Sequence, residues 1–114
     1  MIRKFEFADR TARVEVAGKP FQMRCDARTA DYLAQKGKEM LALSKEIQAG
    51  DKGASDVVAL GTEIIDHVLG DGAARDVFDG REMLTDDVTD VCVFLAGVIA
   101  DYNARRRGDL SRAA

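Results

Sequence analysis

Ala12-Arg13-Val14-Glu15-Val16 alternates apolar and charged side chains with a period of two. Successive side chains of a strand point to opposite faces, so this run predicts a half-buried strand. Gly18-Lys19-Pro20 interrupts the alternation, and Phe21-Gln22-Met23-Arg24-Cys25 resumes it. Two such runs around a short Gly-containing turn predict a β-hairpin. Pro20 belongs at the start of the second strand, because it has no N–H to give to a ladder. In this register Val14, Val16, Phe21, Met23 and Cys25 face the core, while Arg13, Glu15, Gln22 and Arg24 face water. Upstream, Ile2, Phe5 and Phe7 stand apolar among charges and extend the strand-like character, with a turn expected at Ala8-Asp9-Arg10.

Beyond Cys25 the period changes. The Asp26 carboxylate is placed to accept from the free amides of a first helical turn. From there to about Gln48, Tyr32, Leu33, Met40, Leu41, Leu43 and Ile47, with the small Ala34 and Gly37, supply a broad apolar side. A linker, Ala49-Gly50-Asp51-Lys52-Gly53, leads to a second helix for which Ser55 or Asp56 is the expected cap. Val57, Leu60, Gly61, Ile64 and Val68, flanked by Val58, Ile65 and Leu69, recur at spacings of three and four, the mark of a wide buried stripe. Gly70 is expected to end that helix in the left-handed conformation. Residues 71–81 read as a connector with one or two helical turns, anchored by Val77 and Phe78 and closed by Gly80.

Thr85 or Asp86 is the expected cap of the last helix. Asp86, Asp87 and Asp90 suit its positive end, Arg105, Arg106 and Arg107 suit its negative end, and Gly108 is expected to stop it. Residues 86–107 would span about 33 Å. The chain therefore reads as one α+β domain. An N-terminal antiparallel β-hairpin or small sheet (1–25) precedes a mainly helical body of three long helices plus a short connector helix (26–108), with a flexible tail (109–114).

That last helix carries more apolar surface than one core requires. Val88, Val91, Cys92, Leu95, Val98, Ile99 and Tyr102 form one stripe, which suffices to bind it to its own domain. Val93 and Phe94 lie off that stripe, and Ala96, Gly97 and Ala100 add a smooth small surface. A helix apolar almost all round is either central in its domain or covered on a second side by a partner. Val93, Phe94, Ala96, Gly97 and Ala100 are accordingly the first candidate contact residues. Tyr32, Met40 and Leu43, partly off the core stripe of the first helix, are the second.

Composition adds constraints rather than chemistry. In 114 residues, 46% are apolar and 32% charged, with 10 Gly and 1 Pro, which excludes a disordered or collagen-like chain. A net charge of -3 leaves no broad basic footprint, so nucleic acid is not an expected partner. The longest apolar run, residues 91–100, is far short of the ~20 residues of a membrane helix, and the first residues have no apolar signal core. A cytoplasmic protein is expected, with Cys25 and Cys92 reduced and used for packing. His67, the one histidine, falls opposite the apolar stripe near Glu63 and Asp66, with no nucleophile beside it. Neither cysteine belongs to a Cys-x-x-Cys pair, so no metal is expected. Gly70-Asp71-Gly72-Ala73-Ala74-Arg75 follows a helix rather than a strand, so it is not read as a dinucleotide loop, and no cofactor is expected.

The run Ile65-Asp66-His67-Val68-Leu69-Gly70-Asp71-Gly72-Ala73-Ala74-Arg75-Asp76-Val77-Phe78-Asp79-Gly80-Arg81 resembles a segment of phage tail assembly chaperones, small proteins of phage and prophage tail modules. In that family a helix ends at Leu-Gly, a Gly-Ala turn follows, and a Phe-acidic-Gly-Arg turn precedes the final helix. Asp71 stands where the family commonly has glutamate. Val14-Glu15-Val16-Ala17-Gly18-Lys19-Pro20-Phe21 is similar to its hairpin, with Pro20 in place of a usual polar residue. The resemblance implies a small β element before a helical body and a non-enzymatic role in the bacterial cytoplasm. It further implies binding to the helical tape-measure protein, self-association into a homo-oligomer, and release as the tail tube polymerises. A structural tail-completion or connector protein of the same module is the alternative. A small DNA-binding regulator using Arg105, Arg106 and Arg107 comes after it.

Overall fold

A computed structural model of the chain describes residues 2–7, 9–50 and 53–113, with residues 109–113 described by their backbone alone. Strands β1 (Thr11–Val16) and β2 (Lys19–Arg24) pair antiparallel, with Ala12 opposite Met23, Val14 opposite Phe21 and Val16 opposite Lys19. The turn is Ala17-Gly18, one step earlier than expected, with φ of 53° and 81°. Positive φ at both central residues is the two-residue hairpin turn whose twist matches the strands. Pro20 is the second residue of β2, at the start of that strand as expected. Val14, Val16, Met23 and Cys25 are buried and Phe21 is half-buried, on the face the alternation indicates.

Residues 2–7 form no strand, and Ile2, Phe5 and Phe7 are exposed. A strand-like run is held only where a neighbour takes up its backbone groups, and neither β1 nor β2 takes up this one. Of the expected turn and linker, Ala8, Asp51 and Lys52 lie outside the described residues.

Four helices follow. In α1 (Ala27–Gln48) Asp26 is the N-cap, accepting from the Thr29 backbone N–H at 3.0 Å and from the Thr29 hydroxyl at 3.0 Å. Those two hydrogen bonds, the backbone one foremost, hold its carboxyl below the usual carboxylate range. Helix α2 (Ala54–Leu69) is capped at Gly53 rather than at Ser55 or Asp56. Asp56 instead sits in the first turn and accepts from the Gly53 N–H at 3.2 Å, closing the end from inside. Gly70 leaves α2 at φ 117° and ψ 157°, an extended conformation of positive φ, not the left-handed helical one expected.

Helix α3 (Ala73–Phe78) buries Ala73, Ala74, Val77 and Phe78, and Asp66 of α2 accepts from its Ala74 N–H at 2.8 Å. It closes through Asp79 and Gly80, both at positive φ. Helix α4 (Thr85–Ala113) passes through Gly108, where a stop followed by a tail over residues 109–114 is the expectation. A glycine inside a helix costs only about 1 kcal/mol relative to alanine, and no proline follows to enforce an end.

The centre of the molecule is α2, which packs on α1, α3, α4 and β2. Ile64, Ile65 and Val68 share one buried cluster with Val88, Leu95 and Ile99 of α4, Leu33 of α1 and the buried hairpin face, Gly61 lies against Val88, and Val57 is buried as well. Helices α1 and α4 both lie on α2 but meet each other only sparingly. The radius of gyration is 16.9 Å, against about 13 Å for a spherical domain of this length.

The closest approach of α4 to α2 is at Gly61. A Cβ built there would fall deep inside the van der Waals envelope of the Val88 side chain and would also meet the Cys92 sulfur at 3.8 Å. Val88 is fully buried and its β-branched side chain has little freedom to turn aside. Gly61→Ala is therefore expected to lose stability, by about 1–3 kcal/mol of overpacking, against a gain of about 1 kcal/mol in helix propensity. In urea titrations Gly61→Ala should unfold earlier than the parent. Pairing it with Val88→Ala should cost less than the two single changes combined. A Gly61→Ala protein as stable as the parent contradicts the close approach.

Candidate functional site

Each residue of an α-helix turns about 100° around the axis, so Leu95, Val88 and Ile99, which are buried, define the inward face of α4. On one side of that face lie Thr89, Cys92, Val93, Ala96, Ala100 and Asn103. Opposite them stand Ala30, Leu33, Ala34, Gly37 and Met40 of α1. Because α1 and α4 rest on α2 without closing on each other, the space between them is an open groove.

Toward the start of α4 it encloses about 180 Å³ bounded by Gly37, Met40, Ile64, Thr89, Cys92 and Val93. Toward the other end it widens to about 390 Å³ between Ala30 and Ala34 on one wall and Ala100, Asn103 and Arg107 on the other. Leu33 and Ala96 border both parts, so the two are one continuous groove. Met40 faces Thr89 while Ala30 faces Ala100, so the walls run antiparallel.

Of the residues singled out in the sequence, the groove gathers Met40, Val93, Ala96 and Ala100. It does not gather the other four. Phe94, 46% exposed, lies on the opposite flank of α4 beside half-buried Val91 and Val98. Gly97 faces outward from the core, with open space around it. Tyr32 lies on the other side of α1, stacked on His67 with ring centroids 3.7 Å apart and an interplanar angle of 15°. Half-buried Leu43 follows on that same side of α1, three turns further along.

Tyr32 is thus tied into the seam between α1 and α2. Lys36 lies 5.7 Å from its ring centroid and bridges Glu39 and Glu63, each at 3.2 Å. The Tyr32 hydroxyl is buried with no hydrogen-bond partner among the described residues, and burial, followed by the Glu63 charge, pushes its pKa up. Of the α1 wall, Met40 is an expected contact, Ala34 and Gly37 are expected only as part of an apolar side, and Ala30 is not singled out. The signal for this wall is the spacing Ala30, Ala34, Gly37, small residues at i, i+4 and i+7 on one helical face.

The groove offers a surface suited to apolar contact. It is lined mainly by aliphatic and small side chains, with Thr89 and Asn103 as polar members and the Arg107 cation at its wide end. Among the described residues, no three His, Cys, Asp or Glu side chains group to hold a metal ion, and no helix is long and apolar enough to cross a membrane. Burial pushes the Cys92 thiol up to about 11, and it contacts the Gly61 carbonyl at 3.9 Å. Burial, with a smaller effect from Asp26, also raises Cys25.

At pH 8 a thiol near 11 is about one part in a thousand thiolate, against about a quarter for an ordinary cysteine. Cys92 should therefore react with a disulfide reagent more than about a hundredfold more slowly in the folded protein than in urea. Labelling followed by peptide mapping reads this directly, and a burst at Cys92 in the folded state contradicts it.

Compared with known proteins, the chain matches no family model, no curated protein and no solved structure.

Proposed function

We propose that this chain is a non-enzymatic assembly chaperone of a phage or prophage tail, and that its α1–α4 groove takes up an apolar helical stripe of the tape-measure protein. The observation that carries this reading is the groove itself, with small and aliphatic walls and both ends open. Helices pack at axial separations of about 8–10 Å, the shorter ones requiring small side chains at the contact. Ala30, Ala34 and Gly37 facing Ala96 and Ala100 supply such a contact, and Met40 and Val93 give it an adaptable apolar edge. An amphipathic helix laid into an apolar groove is a general mode of recognition. The resemblance of the Leu69-Gly70-Asp71-Gly72-Ala73 and Phe78-Asp79-Gly80-Arg81 turns to those of tail chaperones supports the choice of client.

In this reading the protein acts in the cytoplasm of the bacterial host. Copies of the protein, self-associated, keep a long helical client soluble, and the groove does no covalent chemistry.

Filling the groove tests the proposal. Ala96→Trp and Ala34→Trp place bulk on exposed wall positions away from the core, so the melting temperature should change little. Binding to labelled helical segments of the tape-measure protein, followed by fluorescence anisotropy, should weaken by tenfold or more, about 1.4 kcal/mol. Undiminished binding by both variants overturns the assignment of the groove. A protein that never binds the client but is retained in finished particles supports the structural tail-component alternative.

A further inference from the structure

Outside the groove, two clusters of apolar side chains stand exposed among the described residues. The first is residues 2–7, Ile2-Arg3-Lys4-Phe5-Glu6-Phe7, in which Ile2, Phe5 and Phe7 are 86%, 80% and 89% exposed. The Phe5 and Phe7 rings contact each other edge to face with centroids 5.1 Å apart, and cover little else. The second is the flank of α4 turned away from the groove, where exposed Phe94 stands with half-buried Val91 and Val98 among Asp87, Asp90 and Asp101.

The two surfaces are complementary. One is aromatic with Arg3 and Lys4 ahead of a single Glu6. The other is apolar with three carboxylates along its length and Arg105 at its Tyr102 end, so it is net acidic. Their dimensions agree as well. Extended chain rises about 3.3 Å per residue, so residues 2–7 span about 17 Å. Tyr102 donates to the Asp9 carbonyl at 2.7 Å, so this arm is rooted against α4. From Tyr102 back to Val91 is about 17 Å of helix.

We infer that residues 2–7 dock on the Phe94 flank of a second copy of this chain, in a reciprocal exchange that makes a two-fold dimer. Within one chain the arm stands clear of this flank, and both remain exposed. Three large apolar side chains present about 500 Å² per arm. Two arms covering two flanks bury about 2,000 Å², within the range of a stable dimer, whereas one arm folded back on its own helix buries half of that. Reciprocal exchange is also self-complementary and closed, so it ends at two copies. This pairing needs no client and stands apart from the reading of the groove.

Light scattering coupled to gel filtration tests it on the full chain. The parent should elute at twice the monomer mass at micromolar concentration. Phe5→Ser with Phe7→Ser, which alters only exposed side chains, should elute at the monomer mass with an unchanged circular dichroism spectrum. A second variant, Phe5→Cys with Phe94→Cys, locates the contact. On oxidation it should run as a covalent dimer on a non-reducing gel, with peptide mapping joining positions 5 and 94. A monomeric parent, a dimer indifferent to the arm substitutions, or a 5–94 link that closes within one chain or fails to form overturns the inference.

Discussion

The absence of a side chain at Gly61 lets α4 settle onto α2 over the fully buried Val88. Everything else about the molecule's surface depends on that seating. Close contact over the first half of α4 fixes which of its faces turns inward, through Val88, Leu95 and Ile99, and hence which faces are left over. Because α1 also rests on α2, by Leu33, the two outer helices are held by a shared neighbour rather than by each other. A helical pair seated this way keeps an open channel between its members. A larger residue at position 61 would lift α4 and loosen the one contact that orients both flanks.

The polar residues do supporting work of a local kind. Asp26 caps α1, Asp56 closes the start of α2, and Asp66 ties α3 to the helix before it. Lys36 sits between Glu39 and Glu63 and reinforces the seam where Tyr32 stacks on His67. Each is a short-range device that fixes an element end or a crossing, and Asp26 and His67 also border an open hollow of about 380 Å³ together with Arg24 and Arg28. The two thiols are held protonated by burial. What remains exposed with a consistent character is apolar surface on α4 and on residues 2–7, and that directs the functional account to contacts between chains.

Much of the fold was readable because its signals are periodic. The alternation through Val14, Val16, Met23 and Cys25 named the buried face of the hairpin, and the three-four spacing through Val57, Gly61, Ile64 and Val68 named the buried stripe of α2. Punctuation was harder. The hairpin turn uses Ala17, whose composition carries no sign of positive φ, and Gly108 is simply passed over, since one glycine does not outweigh the helix around it. Excess apolar surface on α4 was visible at Val93 and Phe94, but they turn out to lie on different flanks. That α1 supplies the opposite wall depends on both helices sharing α2, a tertiary fact that no local pattern encodes. Tyr32 reads as a contact candidate for the same reason, until His67 is found stacked on it.

Helix α4 is seated on α2 through Gly61 and Val88, with its α1-facing side left open. Proton NMR of the folded protein measures this most directly. The account requires strong cross-peaks between the Gly61 α protons and the Val88 methyls, together with Leu95 methyls contacting α2. If those cross-peaks are missing, and the Val93 and Ala96 methyls instead show contacts to α2, then α4 is rotated about its axis and the account is wrong.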